Sequence, residues 1–182
     1  PANFPSHGQA DKLAARLARF GINCVRLHYF DAEYGNFMTE KETGIFGTGG
    51  ALPAAFKADP GVSIPLAPDM VDRQDYLVAA LKKRGIYVDM NLHVARFPKS
   101  LGFFDPRMIA AEKEYARKLL TRVNPYTNLA YTDDPCVALI EINNENALLN
   151  RGIDRSHEGE LRSQWNAWLR KKYTTTDRKS VV

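Results

Sequence analysis

The sequence predicts an α/β fold in which parallel strands alternate with helices. Three segments repeat the same order, an amphipathic helix, a Gly or Pro break and a short apolar strand. Helices and strands that alternate at this spacing form right-handed βαβ units around a parallel sheet. The chain has 182 residues, of which 45% are hydrophobic and 25% are charged, and this composition is typical of a globular domain with a sizeable core.

The first of these units lies in residues 13–28. Leu13, Leu17 and Phe20 recur at helical spacing, and Gly21 is expected to end the helix. The apolar residues that follow predict a strand over residues 22–28.

The second and third units begin with recognisable helix starts. Asp69 is a candidate N-cap for the second helix, which is expected to end at Gly85 before a strand over residues 86–93. In the third unit Pro106 follows Asp105, and Pro is favoured at the first helical position. A turn-rich link leads from this helix to a strand over residues 137–142.

A last helix is predicted over residues 158–173. Its apolar side is formed by Leu161, Trp165, Trp168 and Leu169. Residues 31–68 form a long link rich in Gly, Pro and Ala, and loops of that length in a compact domain are usually functional or disordered. We expect one domain over residues 1–173 and a disordered tail over residues 174–182.

Charge and cysteine content exclude several classes of function. The net charge is +4, and its surplus begins at Arg155, in the terminal helix and tail. This is not the basic stripe with interleaved aromatic residues that nucleic-acid binding requires. No apolar run approaches the ~18 residues of a membrane span. Cys24 and Cys136 each lie in an apolar strand-like run and are expected to be buried free thiols.

Polar side chains collect at the C-terminal ends of all three predicted strands, although strands buried on both faces are usually apolar. Each has a structural explanation, such as an ion pair between Arg26 and Glu141, but together they favour a functional rim. Alternation along each strand groups the residues by face. They are Arg26 and His28 on the first strand, Asp89, Asn91 and His93 on the second, and Glu141, Asn143 and Glu145 on the third.

Three segments resemble clan A glycoside hydrolases, most closely family 5, the cellulases and mannanases. Residues 20–27 resemble a helix-to-strand passage of that family, and residues 83–93 resemble the next passage, which ends in a strand-tip His. Residues 141–146 resemble the fourth-strand motif with its Asn-Glu pair, although Asn146 stands where the family usually has Pro. The match spans about residues 13–149, roughly the second to fourth strands of a TIM (β/α)8 barrel.

The resemblance implies retaining-type hydrolysis of β-linked glycosides of β-glucan or β-mannan type, with no cofactor. Glu145 would be the catalytic acid/base. Asn144 would bind the sugar 2-hydroxyl. Arg26 would steady the nucleophile carboxylate, and His93 would line the subsite where the bond is cut. His28 and Asn91 would be further substrate contacts.

The fold implied is therefore an incomplete TIM barrel. The family's nucleophile comes from the seventh strand, which has no counterpart in this sequence. Glu141 is no substitute, since four residues along a strand place it ~13 Å from Glu145, whereas a retaining pair is ~5–5.5 Å apart. A three-stranded sheet would expose two edges and an apolar face, so we expect chains to self-associate into a homo-oligomer.

Two other functions stay open from the sequence. One is a non-catalytic carbohydrate-binding or assembly module, in which the rim binds sugar without turnover. The other is a metal-dependent hydrolase that uses His28, Asp31, His93 and Glu145, because divalent ions bind His together with carboxylates. The sequence contains neither HxH nor HExxH spacing, and we therefore predict no metal site.

Overall fold

The structure, a computed structural model, describes residues 4–28, 66–94, 99–148 and 158–173. The predicted link over residues 31–68 and the predicted tail over residues 174–182 lie almost wholly outside these ranges. The described elements follow the alternating order that the sequence predicts. They are α1 (His7–Arg19), β1 (Cys24–Leu27), α2 (Pro68–Lys82), β2 (Tyr87–Asn91), a 3-10 helix (Lys99–Phe103), α3 (Pro106–Leu120), β3 (Val123–Asn124), β4 (Leu129–Ala130), β5 (Val137–Glu141) and α4 (Glu158–Lys172).

A three-stranded parallel sheet lies at the centre of the fold, in the order β1-β2-β5. The three predicted strands and their parallel arrangement are confirmed. One face of the sheet packs against the helices in a single apolar cluster, since strands joined by helical crossovers are covered by those helices. Fully buried members of this cluster include Val78, Leu81, Val88, Met90 and Leu119.

The opposite face of the sheet is open in the part of the chain that the structure describes. Tyr87 and Leu139 are 53% and 59% exposed on this face. Cys24 lies beside Tyr87 in the register and is exposed, so the prediction that its thiol is buried was wrong. Cys136 is buried as predicted, and burial raises the pKa of its thiol to about 11.

The helix ends follow the local signals of the sequence in most cases. Gly21 and Gly85 adopt φ of 72° and 68° just after α1 and α2, a conformation that favours glycine, and both predicted stops are confirmed. Asp105 caps α3 by accepting hydrogen bonds from the backbone N–H groups of Arg107 (2.9 Å) and Met108 (3.3 Å).

The start of α2 differs from the prediction. Ala67 is its N-cap and Pro68 occupies the first turn, so Asp69 lies inside the helix and caps nothing. Proline at the first helical position needs no hydrogen-bond partner, which allows the helix to begin earlier. Asp69 still favours the helix, because a carboxylate in the first turn interacts well with the helix dipole.

A small hairpin formed by β3 and β4 was not predicted from the sequence. It is held against α2 through Asp75, whose carboxylate forms an ion pair with Arg122 and accepts a hydrogen bond from the Tyr131 hydroxyl at 2.5 Å. Asn124 donates to the Asp75 carbonyl at 3.0 Å. Burial raises the pKa of Tyr131 well above its usual range. Two-residue strands are too short to produce a periodic pattern, so the sequence indicated only a turn.

The last helix, α4, is confirmed but only partly covered. Leu161 packs against the core and the Gln164 side chain donates to the Phe104 carbonyl at 2.8 Å. Trp165 and Trp168 stack on each other at 5.1 Å and remain 53% and 45% exposed. Within the described residues, none of the helices is both long enough and apolar enough to cross a membrane.

Candidate active site

The C-terminal ends of the three parallel strands meet at one edge of the sheet. The register places Arg26 beside Asp89 and Asn91 beside Glu141. These four side chains point to the open face, since neighbours in register share a face of a parallel sheet. The predicted rim of polar side chains is therefore assembled by the three strands of the central sheet, β1, β2 and β5.

An irregularity in strand pairing brings two of these residues together. The register between β2 and β5 shifts between Val88 and Asp89. Without this shift Asn91 would lie opposite Ile140, and its side chain would not meet Glu141. Such irregularities are frequent next to active sites, where they redirect a side chain.

Arg26 is the most connected side chain of the site. Its Nη2 lies 2.6 Å from Glu141 Oε2, and its Nε donates to the same oxygen at 2.8 Å. Nη2 also donates to Asn144 Oδ1 at 2.9 Å, and Nε lies 4.0 Å from Asp89 Oδ2. The guanidinium therefore ties β1 to the end of β5, and the structural explanation for Arg26, a pair with Glu141, is present.

Asn91 connects the centre of the site to His28. Its amide is fully buried, and Nδ2 donates to Glu141 Oε2 and lies 3.3 Å from His28 Nδ1. An amide nitrogen can only donate, so when the His28 ring is neutral Nδ1 is the acceptor and the ring proton is on Nε2. Asn91 Oδ1 is buried and accepts no hydrogen bond within the described residues.

Asp89 lies beneath these groups in an environment that favours its protonated form. Burial raises the pKa of its carboxyl, the charge of Glu141 raises it further, and Arg26 and His28 oppose this. Its Oδ1 is buried without a hydrogen bond in the part of the chain that is described.

The chain turns sharply after β5. Asn144 N–H donates to the His93 carbonyl at 2.9 Å, which ties this turn to the end of β2. Glu145 is exposed and adopts φ of 43°, a sparsely populated conformation for a residue other than Gly. The predicted alternation of Glu141, Asn143 and Glu145 on one face therefore does not hold, since the extended backbone ends at Glu141.

The structure thus gathers five of the six predicted site residues into one group connected by contacts. Arg26 contacts Asn144, Asn91 contacts His28, and His93 contacts Asn144 through the backbone. Glu145 directly follows Asn144 in the chain.

One neighbour of the site was missed by the sequence reasoning. Glu112 on α3 places Oε1 2.8 Å from His93 Nδ1. An acidic residue on an amphipathic helix usually faces solvent, so its position in the sequence carries no signal. No group of three or more His, Cys, Asp and Glu residues able to hold a metal occurs within the described ranges, which leave out Asp31.

No protein-family profile matches the sequence, and no curated protein matches it significantly. Solved structures do resemble its fold. The endo-1,4-β-mannanase from Rhizomucor miehei superposes with a TM-score of 0.57 at 18% identity, covering 78% of this chain and 41% of that one. An endo-β-1,4-mannanase from Thermotoga petrophila gives 0.56 at 19% identity, covering 79% of this chain and 33% of that one. The hyperthermostable endo-1,4-β-D-mannanase of Thermotoga petrophila RKU-1 gives 0.54 at 18% identity, with 79% and 43% covered.

The chain spans less than half the length of each of these mannanases. At such low identity the likeness concerns the fold. The resemblance to TIM-barrel glycoside hydrolases that the sequence predicts is thereby confirmed at the level of fold, and the fold of this chain is similar to part of such a barrel.

Proposed function

We propose that this chain carries the acid/base half of the active site of a retaining β-glycoside hydrolase. The observation that carries the proposal is the contact between Arg26 and Asn144, the residue before Glu145, at 2.9 Å. It lies at the C-terminal edge of a parallel sheet, where TIM barrels place their catalytic residues. This position, together with an Asn-Glu pair, supports the proposal of an acid/base site.

In this proposal Glu145 donates a proton to the leaving glycosidic oxygen and then activates water as a base. Asn144 Oδ1 accepts from Arg26, so the amide nitrogen is the group that would donate to the sugar 2-hydroxyl. His28, Asn91 and His93 would complete the substrate contacts.

The nucleophile would come from outside the described residues. Glu141 is engaged by Arg26 and Asn91, and Asp89 lies beneath them with its Oδ1 buried. In the proposed arrangement Arg26 is shared between Glu141 and the incoming nucleophile carboxylate, which it would keep ionised.

We propose that a second copy of the chain supplies the missing part of the sheet. Within the described residues, β1 and β5 each pair with β2 on one side only. Leu139 and Ile142 are 59% and 78% exposed at the β5 edge. Unpaired edges with exposed apolar side chains favour pairing with another chain, which supports self-association into a homo-oligomer.

The proposed substrate is a β-linked polysaccharide, and β-1,4-mannan is the first to test because the similar structures are named as mannanases. Replacing the acid/base should reduce turnover by about 10²–10⁴-fold. Glu145→Gln is the variant to measure on mannan oligosaccharides. On an aryl β-mannoside with an activated leaving group, added azide should restore its turnover, because azide attacks without base assistance.

The matched control is Glu158→Gln on α4, since Glu158 is exposed and pairs with Arg162 at 3.2 Å. It should leave turnover unchanged. Full activity of Glu145→Gln would show that Glu145 is not the acid/base. Calorimetric binding of mannan oligosaccharides without any turnover by the unmodified chain would favour the non-catalytic binding module instead.

A further inference from the structure

We propose that Glu112 is a positioning residue that holds the imidazole of His93 with its proton on Nδ1. In the neutral ring, Nε2 is then a hydrogen-bond acceptor. The functional part of this inference rests on the proposed function, in which His93 contacts the substrate. The placement of the proton does not depend on that function and is tested separately.

The short distance and the burial of the pair favour a proton on the ring nitrogen that faces the carboxylate. His93 Nδ1 lies 2.8 Å from Glu112 Oε1, and the two side chains are only 6% and 22% exposed. Oε1 is buried, and its contact with Nδ1 is a close polar contact that is not aligned as a regular hydrogen bond. If Nδ1 carried a lone pair, it would face the lone pairs of a carboxylate oxygen in a poorly solvated place, which is repulsive.

A close backbone approach holds the Glu112 carboxylate in this position. A Cβ atom added to Gly102 in the 3-10 helix would meet Glu112 Oε1 at 2.5 Å and Oε2 at 3.0 Å. The 3-10 helix cannot easily withdraw, because Leu101 is buried and Asp105 N–H donates to the Leu101 carbonyl at 2.8 Å. A side chain at position 102 should therefore displace the Glu112 carboxylate and leave the backbone in place.

The Glu112–His93 pair also connects α3 to the turn after β5 that contains Asn144 and Glu145. The carbonyl of His93 accepts the hydrogen bond from the backbone N–H of Asn144, so the backbone of His93 is fixed by that turn. Its ring is oriented by Glu112. With the proton on Nδ1, any sugar hydroxyl that meets Nε2 meets an acceptor, and a substrate position without a hydroxyl donor there would bind less well.

The test is the tautomer of His93 in the full chain, read from the ring ¹⁵N signals by NMR at mildly alkaline pH. The chain has four His residues, and His93→Gln identifies the signals of His93. We expect the Nδ1–H form to dominate in the unmodified chain. Glu112→Ala should shift the ring toward the Nε2–H form, and Glu112→Gln should retain part of the Nδ1–H form because its amide oxygen still accepts.

Gly102→Ala is the independent variant, since it keeps the carboxylate and only moves it, and it should produce the same shift as Glu112→Ala. Glu114→Gln is the control on the same helix, because Glu114 pairs with Lys118 at 2.6 Å, and it should leave His93 unchanged. A dominant Nε2–H form in the unmodified chain would overturn the proposal. So would an Nδ1–H population that neither Glu112→Ala nor Gly102→Ala changes.

Kinetics then test the functional part. Glu112→Ala should raise KM for mannan oligosaccharides with a smaller effect on kcat, because it disturbs a binding contact. If Glu145→Gln leaves activity intact while Glu112→Ala still shifts the tautomer, the proposed function fails and the positioning role of Glu112 stands. If neither Glu112→Ala nor Gly102→Ala changes the tautomer of His93 while Glu145→Gln abolishes activity, the positioning role of Glu112 fails and the proposed function stands.

Discussion

At the scale of single residues, one carboxylate joins three distant parts of the chain. Asp72 on α2 lies 2.8 Å from His7 Nε2 and accepts the Tyr126 hydroxyl at 2.5 Å. The His7 ring stacks on Tyr76 with centroids 3.9 Å apart. The hydrogen bond to Asp72 raises the pKa of Tyr126 to about 12, and the same bond lowers the pKa of Asp72 against the effect of burial.

The raised pKa of Tyr126 predicts a specific loss of stability in alkali. The unfolded chain loses this proton near pH 10, whereas the folded chain holds it to about pH 12. The stability that the protonated Tyr126 hydroxyl contributes to the folded state is therefore fully present below pH 10 and is lost as the pH rises from 10 to about 12. Tyr126→Phe should show a smaller fall in the urea midpoint over this interval. Tyr87→Phe, on the open face of the sheet, is the control, and equal falls in the unmodified chain and Tyr126→Phe would contradict the assignment.

The rim residues were predictable because alternation along a strand is a local property. Arg26 and Asn91 lie at the strand ends that the sequence indicated. The Asn91–Glu141 contact was not predictable, since it depends on a register shift between two strands that are far apart in sequence. Glu112 was missed for a related reason, because its approach to His93 is set by how α3 packs on the sheet.

At the scale of the elements, the cap of α3 is the strongest local signal that the structure bears out. Asp105 is buried and accepts from two backbone N–H groups and from the Arg107 side chain at 2.9 Å. The Arg107 side chain is the main cause of the lowered pKa of Asp105, and the two backbone N–H groups add to it.

Removal of this cap should cost measurable stability. We expect Asp105→Ala to lower the free energy of unfolding by about 1–2 kcal/mol, since buried N–H groups lose their acceptor. Asp105→Asn keeps an acceptor and should cost less. Asp69→Ala is the matched control, because Asp69 lies in the first turn of α2 without capping it, and its loss should cost about 0.3–1 kcal/mol. Urea denaturation of the three variants measures these free energies of unfolding. Equal losses for Asp69→Ala and Asp105→Ala would contradict the capping role of Asp105.

Helices and strands were predicted where several local signals agree. Gly21 and Gly85 end helices, and apolar runs follow them. The β3–β4 hairpin escaped prediction because what holds it is a long-range interaction, the polar contact of Asp75 with Arg122 and Tyr131. The sequence also misplaced the start of α2, where Pro68 outweighs the capping tendency of Asp69.

At the scale of the whole molecule, one face of the sheet and two of its edges have no cover within the described residues. Tyr87 and Leu139 are exposed on the open face, and Ile142 is exposed just beyond β5. Trp165 and Trp168 add an exposed aromatic surface on α4. The mannanase structures that the chain resembles are more than twice as long as the part it covers. The uncovered surfaces are therefore suited to further βα units.

Self-association should depend on this surface. Light scattering coupled to size exclusion should give the unmodified chain a mass of at least twice the 20.5 kDa of one chain. Leu139→Lys places a charge where an apolar contact is expected and should return the mass to that of one chain. Its circular dichroism should not change, because Leu139 is already 59% exposed. Val123→Lys is the control, since Val123 is 61% exposed but lies in the separate two-stranded sheet, and it should still associate. An unmodified chain that remains monomeric at high concentration would rule out assembly through a second copy.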